Sequence, residues 1–146
     1  MWMIPERSQE SEWMDRPDNS RADLAATLHD IEKVNRLLGG RRVLLEALRP
    51  FLAAAPRGRP LEILDVGTGG ADLPLAFVRE AREAGCDVRV TAIDRDPATA
   101  AIAAREVAGH PEVRVVRCDA RVPPFGAGSF DTVSYTHLTL PTNREV

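Results

Sequence analysis

An acid followed at once by a cluster of glycines is the part of this sequence best suited to hold a ligand. Asp65 lies near the end of a short apolar run, and Gly67, Gly69 and Gly70 follow within five residues. Glycine permits backbone conformations and close approaches that a Cβ forbids. The apolar spacing after the glycines predicts a helix over 71–84, whose first turn would present unpaired N–H groups. A strand, a glycine-rich turn and a helix start in this order are typical of a site for a nucleotide-like ligand.

Two further acids follow predicted strands in the same way. The strand predicted over 88–93 is followed by Asp94, and the strand predicted over 113–117 is followed by Asp119. The carboxyl ends of parallel strands meet at one edge of a sheet, where ligands bind in open α/β folds. An ionised carboxylate at that edge can accept hydrogen bonds from both hydroxyls of a cis-diol.

Alternating strands and helices must position these residues. The apolar and helical periods predict four strands and two helices, at 61–66, 71–84, 88–93, 98–108, 113–117 and 130–135. The alternation predicts an α/β fold with a parallel sheet covered by helices on both faces. Gly85 is expected to cap the first helix, and Asp96 with Pro97 to begin the second.

The residues before the sheet predict an N-terminal helical segment. Ser20 and Asp23 have the spacing of a capping box, and apolar residues at Leu24, Leu28, Ile31 and Leu38 then recur at helical spacing. Gly39 and Gly40 are expected to end this helix, and Pro50 to kink or restart a second one.

The chain therefore divides into four predicted parts. Residues 1–19 show no period and predict a flexible arm, and residues 20–60 predict the helical segment. Residues 61–133 carry the ligand-binding domain, and residues 134–146 change composition abruptly.

Composition excludes several classes of function. The 146 residues suit one domain, with 44% hydrophobic and 28% charged residues and a formal net charge of −3. Arginines are scattered among acids, which excludes a nucleic-acid surface, and no apolar run is long enough to span a membrane. Cys86 and Cys118 lack the spacing of a metal site, so reduced thiols in a cytoplasmic protein are expected. The sequence does not indicate an oligomeric state.

Two kinds of ligand compete for the glycine turn. A dinucleotide site requires Gly-x-Gly-x-x-Gly, and Asp72 stands at the position of the third glycine. A carboxylate there would repel a pyrophosphate, although the acid that ends the second strand would suit NAD. An NAD-type domain, or a nucleotide-binding module without catalytic activity, is therefore the alternative interpretation.

Four short motifs in the order LDVGTGG, TAIDRDP, RCDA and SFDTV resemble those of class I S-adenosyl-L-methionine-dependent methyltransferases. The resemblance covers residues 61–133 and departs from the family at Ala71, where another glycine is usual. It implies a Rossmann-like parallel sheet of partial strand order 3-2-1-4. It implies that Asp94 binds both ribose hydroxyls, that Asp119 accepts from the adenine amino group, and that Asp131 lies beside the substrate pocket. The residues that the resemblance assigns to the cofactor are Asp65, Gly67, Gly69, Asp94, Arg95, Asp119 and Ala120.

The resemblance implies transfer of a methyl group from S-adenosyl-L-methionine to a small-molecule acceptor, by O- or C-methylation. The N-terminal pattern is similar to small bacterial methyltransferases of the ubiquinone/menaquinone-biosynthesis group, in which helices before the sheet often form a lid. The sequence identifies no catalytic residue. His29 in the helical segment is the least poor candidate for a general base, and both His29 and His110 are expected to be surface residues.

The last residues, SYTHLTLPTNREV, resemble translated sequencing-adapter sequence. We therefore expect a truncated gene with a non-native tail from about Val133. The fourth strand would then be an unpaired edge that invites association with other chains. Such a fragment would bind the cofactor weakly and catalyse nothing.

Overall fold

The computed structural model describes residues 20–37 and 39–135. Four helices and four strands follow one another along this part of the chain. In order they are α1 (Arg21–Leu37), α2 (Gly40–Ala53), β1 (Leu61–Val66), α3 (Asp72–Ala84), β2 (Val88–Asp94), α4 (Pro97–Glu106), β3 (Val113–Arg117) and β4 (Thr132–Tyr135).

The four strands form one parallel sheet in the order β3-β2-β1-β4, which confirms the predicted topology. In the register, Val66 at the end of β1 lies opposite Ile93 of β2 and Tyr135 of β4. The carboxyl ends of the strands therefore meet at one edge, which we call the carboxyl edge. The starts of the strands meet at the opposite edge, the amino edge.

The helices cover only one face of the sheet in the part of the chain that the structure describes, so the expectation of helices on both faces is wrong there. Strand residues such as Ile63 and Val90 pack in one core with α2, α3 and α4. The chain passes from β1 to β2 to β3 in one direction, and right-handed crossovers in one direction place their helices on the same face.

The other face is covered by the connection from β3 to β4, residues 118–131, instead of by a helix. Leu64, Val66 and Ile93 on this face pack against Phe125 and Phe130 of that connection. The two rings meet edge to face, with centroids 5.2 Å apart.

The N-terminal helices begin and end close to the predicted residues. One bond of the predicted capping box forms, since the Ser20 hydroxyl accepts from the Asp23 N–H at 3.1 Å; the same hydroxyl donates to the Asp23 carboxylate at 2.5 Å. Gly39, with φ 78°, separates α1 from α2. The helix α2 continues through Pro50 to Ala53 and does not restart there.

Most other boundaries agree with the sequence. Gly85 ends α3 in the left-handed conformation, and the Asp96 carboxylate accepts from the Thr99 N–H at 2.6 Å to begin α4. The helix α4 ends at Glu106, two residues earlier than predicted, and β4 begins two residues later than predicted.

Some predictions concern residues outside the described part of the chain. The arm over 1–19, Leu38 and residues 136–146 of the tail lie there, as does the side chain of Ile31. Among the described helices, none has the length and hydropathy of a membrane span.

Candidate functional site

The glycine turn connects β1 to α3 at the carboxyl edge. Gly67 and Gly69 have φ of 70° and 57°, in the left-handed region that favours glycine. The N–H groups of Gly67 and Thr68 donate to the carbonyl of Ile93 at 2.9 and 3.0 Å, which ties the turn to the end of β2.

Ala71 explains why the resembled family prefers glycine at this position. It precedes the first residue of α3 with φ 64°, and it is the one residue other than glycine with positive φ in the described ranges. A Cβ in the left-handed conformation costs about 1–2 kcal/mol. The Ala71 side chain is fully buried in the helix-covered core, and burial of its methyl group offsets part of that strain.

Asp65 is a buried acid beside the turn. It is 1% exposed, and its Oδ1 has no hydrogen-bond partner among the described residues. Burial raises the pKa of Asp65 to about 6. The nearby hydroxyls of Thr68 and Ser134 offset part of this rise, although neither is in hydrogen-bond geometry with Oδ1. The nearby carboxylates of Asp72 and Asp94 raise the pKa further.

Asp94 connects the glycine turn to the start of α4. One carboxylate oxygen accepts from the Gly69 N–H at 3.2 Å, and the other accepts from the Asp96 N–H at 3.0 Å. Burial raises the pKa of Asp94, and these backbone N–H groups oppose the rise. Neither Asp65 nor Asp94 forms an ion pair within the ranges that the structure describes.

Asp119 and Ala120 lie just after β3, beside Asp94 on the neighbouring strand. Asp119 is partly exposed, and the Arg121 guanidinium bonds both of its carboxylate oxygens, at 2.6 to 3.1 Å. This arginine is the main reason that the pKa of Asp119 is lowered to about 2. Arg95 and Ala120 are exposed at the same edge, and the Arg95 carbonyl accepts from Arg117 Nε at 3.4 Å.

Asp131 lies at the amino edge, so the expectation that it borders the substrate pocket is wrong. The Arg59 guanidinium bonds both of its carboxylate oxygens, at 2.7 and 2.8 Å. One of those oxygens also accepts from the Glu62 N–H at 2.9 Å. In a parallel sheet the start of one strand lies beside the start of its neighbour, so an acid preceding β4 lies near the first residues of β1.

Leu28 of α1 lies over the glycine turn, a contact that the sequence analysis did not identify. Leu24 and Leu28 are both buried, and a Cβ built on Gly69 would lie 3.4 Å from Leu28 Cδ2. The helical spacing of these leucines predicts that they are buried but does not reveal which surface they cover. His29, the next residue, is exposed.

The arrangement can therefore hold a polar ligand with a positive group near the turn. Buried acids without an ion-pair partner favour a cation and disfavour a phosphate. Within the described residues, no group of three or more His, Cys, Asp or Glu side chains has the geometry of a metal site. Cys86 and Cys118 are both free.

A family model described as "Methyltransferase domain" matches residues 63–145, more than half of the chain. No curated protein has a significant match to the chain.

Solved structures show where this fold occurs. A protein of Methanococcus maripaludis, provisionally assigned as an S-adenosyl-L-methionine-dependent methyltransferase, is 14% identical with a TM-score of 0.61, and the match covers 90% of this chain and 54% of that one. The S-adenosylmethionine-dependent methyltransferase SibL, in its apo form, is 25% identical with a TM-score of 0.57, over 84% of this chain and 36% of its own.

A third match is an S-adenosylmethionine-dependent methyltransferase from Aquifex aeolicus, 18% identical with a TM-score of 0.56, over 75% of this chain and 55% of that one. The matches confirm the Rossmann-like fold. The chain spans about half, or less, of the length of these three structures.

Proposed function

The chain belongs to the family of methyltransferase domains, and on this premise we propose that its carboxyl edge binds S-adenosyl-L-methionine for methyl transfer to a small-molecule acceptor. The SibL and Aquifex aeolicus structures carry this cofactor in their names, which supports the choice of ligand. Each of those proteins is longer than this chain, so the proposal concerns the cofactor site first and the complete reaction second.

The buried acids beside the glycine turn are the observation that carries the proposal. Asp65 is almost fully buried, and among the described residues neither its Oδ1 nor the buried hydroxyl of Thr68 beside it has a hydrogen-bond partner. An uncompensated buried carboxylate is costly, so such atoms fit a ligand that brings donors and positive charge. The ammonium and sulfonium groups of S-adenosyl-L-methionine suit these oxygen atoms, whereas the negatively charged pyrophosphate of NAD does not.

Asp94 and Asp119 suit the nucleoside part of the same ligand. Asp94 already accepts from the Gly69 N–H, and a carboxylate retains further lone pairs for a ribose diol. Asp119 follows the neighbouring strand β3, two residues after Arg117, which lies opposite Asp94. We assign the ribose to Asp94, the adenine to Asp119 and Ala120, and the cofactor tail to the turn with Asp65, Gly67 and Gly69, with Arg95 flanking the nucleoside.

The chemistry that the cofactor supplies when bound is a methyl group already activated by its sulfonium. The protein's remaining task is to orient the two reactants and exclude water. We propose that the helical segment 20–60 acts as a lid, because Leu28 of α1 lies against the glycine turn. The exposed position of His29 on α1 does not mark it as a general base, and no catalytic residue is assigned.

Isothermal titration of the chain with S-adenosyl-L-methionine, S-adenosyl-L-homocysteine and NAD separates the two kinds of ligand. We expect binding of both sulfur nucleosides and no binding of NAD, because the acids near the turn repel a pyrophosphate. Asp119→Ala is expected to lower the affinity for both S-adenosyl-L-methionine and S-adenosyl-L-homocysteine.

A preference for NAD, or equal binding of all three, would overturn the proposal. If Asp119→Ala left the affinity for the sulfur nucleosides unchanged, the adenine assignment alone would fail. Arg79→Gln is the control, since Arg79 is exposed on α3 and has no assigned role at the site.

A further inference from the structure

Arg121 binds the Asp119 carboxylate through both its side chain and its backbone. Its N–H donates to Oδ1 at 2.9 Å, and its Nε lies 3.0 Å from the same oxygen. Its Nη2 donates to Oδ2 at 2.6 Å, and Nε also reaches Oδ2 at 3.1 Å. The Asp119 carbonyl accepts from the Val122 N–H at 3.0 Å, so the loop closes into a turn around this pair.

The bonds to Arg121 leave the carboxylate room for one further hydrogen bond. Its two oxygens together offer four lone pairs. The backbone N–H bonds Oδ1, Nη2 bonds Oδ2, and the single Nε–H is shared between the two oxygens, so three N–H groups serve those four lone pairs. Because the Asp119 side chain is still 39% exposed, its carboxylate can accept a hydrogen bond from outside the loop.

We infer that Arg121 is a positioning residue for nucleobase recognition: it fixes the Asp119 carboxylate, whose remaining lone pair accepts from an amino group of the base. This inference rests on the proposed function, which assigns the adenine to Asp119. A planar guanidinium that bonds both oxygens holds the carboxylate plane, which the single ammonium of a lysine cannot do.

The consequence is selectivity for an amino group over a carbonyl at the same ring position. A carboxylate kept ionised accepts from the N6 amino group of adenine and repels the O6 carbonyl of hypoxanthine. Without Arg121 the Asp119 side chain would sample several rotamers, and ordering one such side chain on binding costs about 2- to 10-fold in affinity.

The test compares S-adenosyl-L-homocysteine with S-inosyl-L-homocysteine on the wild-type chain and on Arg121→Gln, Arg121→Lys and Arg79→Gln. These probes differ at C6, which carries an amino group in the adenine probe and a carbonyl in the inosine probe, and at the adjacent N1, which carries a hydrogen only in the inosine probe. We expect Arg121→Gln to weaken the adenine probe about 3- to 10-fold and the inosine probe less, so that the ratio of their dissociation constants falls. Arg121→Lys should lower this ratio less than Arg121→Gln does. Arg79→Gln, which replaces an exposed arginine on α3, should change the affinity for neither probe.

Carbon-13 NMR titration of the Asp119 carboxyl in the unliganded chain gives an independent measurement. The pKa of Asp119, lowered to about 2 mainly by the Arg121 side chain, should rise towards its ordinary value in Arg121→Gln.

Three outcomes would overturn the inference, and they have different meanings. If the wild-type chain bound neither probe, the proposed function would fail and the inference with it. If the wild-type chain bound the adenine probe but Arg121→Gln bound it equally well or more tightly, Arg121 would be a bystander or a competitor. An equal loss of affinity for both probes would show that Arg121 affects the loop in general and has no role in selecting the base.

Discussion

At the amino edge of the sheet each of three acids is held by an arginine, whereas at the carboxyl edge the two more buried acids have no such partner among the described residues. Asp131, Glu62 and Glu112 lie near the starts of the strands. Their ion pairs are Arg59–Asp131, Arg89–Glu62 and Arg82–Glu112. At the carboxyl edge the Asp94 carboxylate accepts from the backbone N–H groups of Gly69 and Asp96, and Asp65 Oδ1 has no hydrogen-bond partner among the described residues.

This difference separates structural acids from acids that suit a ligand. An acid paired with an arginine near the start of a strand has its charge compensated within the protein, so it needs no further partner. A buried acid without a cationic partner destabilises the unliganded protein, and a positively charged ligand is expected to remove part of this cost. Asp119 is intermediate, since it is paired with Arg121 but retains a lone pair for a ligand.

Asp94→Ala should have the largest effect on binding at the carboxyl edge. It removes the acceptor for the Gly69 N–H and the proposed acceptor for the ribose, and hydrogen bonds to charged groups contribute about 1.5–3 kcal/mol each. We expect the affinity for S-adenosyl-L-homocysteine, measured by isothermal titration, to fall about 100-fold or more. Asp87→Ala, at an exposed acid before β2, is the matched control, and a loss of only a few-fold at Asp94 would contradict its role.

Asp65→Asn should stabilise the unliganded chain at pH 7.5 and lower its affinity for the cofactor. The pKa of Asp65 is raised to about 6 by burial, above the value of about 3.9 in an unfolded chain. The folded state therefore binds the proton more tightly, and the stability of the wild-type chain should fall as the pH rises from about 4 to about 6. Two units of pKa correspond to about 3 kcal/mol, which is the upper limit of the gain at pH 7.5.

Urea denaturation of both proteins between pH 4 and pH 7.5 measures this effect. The two free energies of unfolding should converge towards pH 4, where Asp65 is protonated. If the difference in free energy of unfolding between the two proteins did not change over this range, Asp65 would not be the uncompensated acid that the comparison requires.

Asp131→Ala should have a smaller effect, and on stability alone. The substitution leaves Arg59 and the Glu62 N–H without their shared partner, so the thermal midpoint should fall by several degrees. The pKa of Asp131 is lowered to about 2 mainly by Arg59. The stabilisation by this pair should therefore be present above pH 4 and be lost as the pH falls towards 2.

Thermal denaturation and cofactor titration of the same Asp131→Ala sample distinguish the two edges. Arg89→Gln removes another ion pair of the amino edge and is the milder comparison, expected to cost less than about 1 kcal/mol. If Asp131→Ala abolished cofactor binding in a chain that remained folded, the distinction between the edges would be wrong.

Much of the fold could be predicted because it depends on local patterns. The bounds of β1 and β3 agree with the apolar runs, and the glycine turn, the Asp96 N-cap and the Gly85 C-cap lie at the predicted residues. Strand order 3-2-1-4 followed from the alternation of strands and helices together with the family resemblance.

The errors share a different cause. The helices on one face follow from the direction of two successive crossovers, which no single stretch of sequence encodes. The motif around Asp131 was recognised, but its pairing with Arg59, which lies 72 residues away, was not. Leu28 likewise reaches the glycine turn only because α1 crosses over it.

The sequence by itself determined which residues are buried along each element, where the turn bends and which acids end β2 and follow β3. Periods of two and of 3.6 residues, and the tolerance of glycine for positive φ, are local properties of the chain. Only the tertiary structure decided which of those acids meet an arginine and which remain uncompensated. That outcome depends on contacts between residues distant in sequence, such as Arg59 with Asp131, and on the burial that raises the pKa of Asp65.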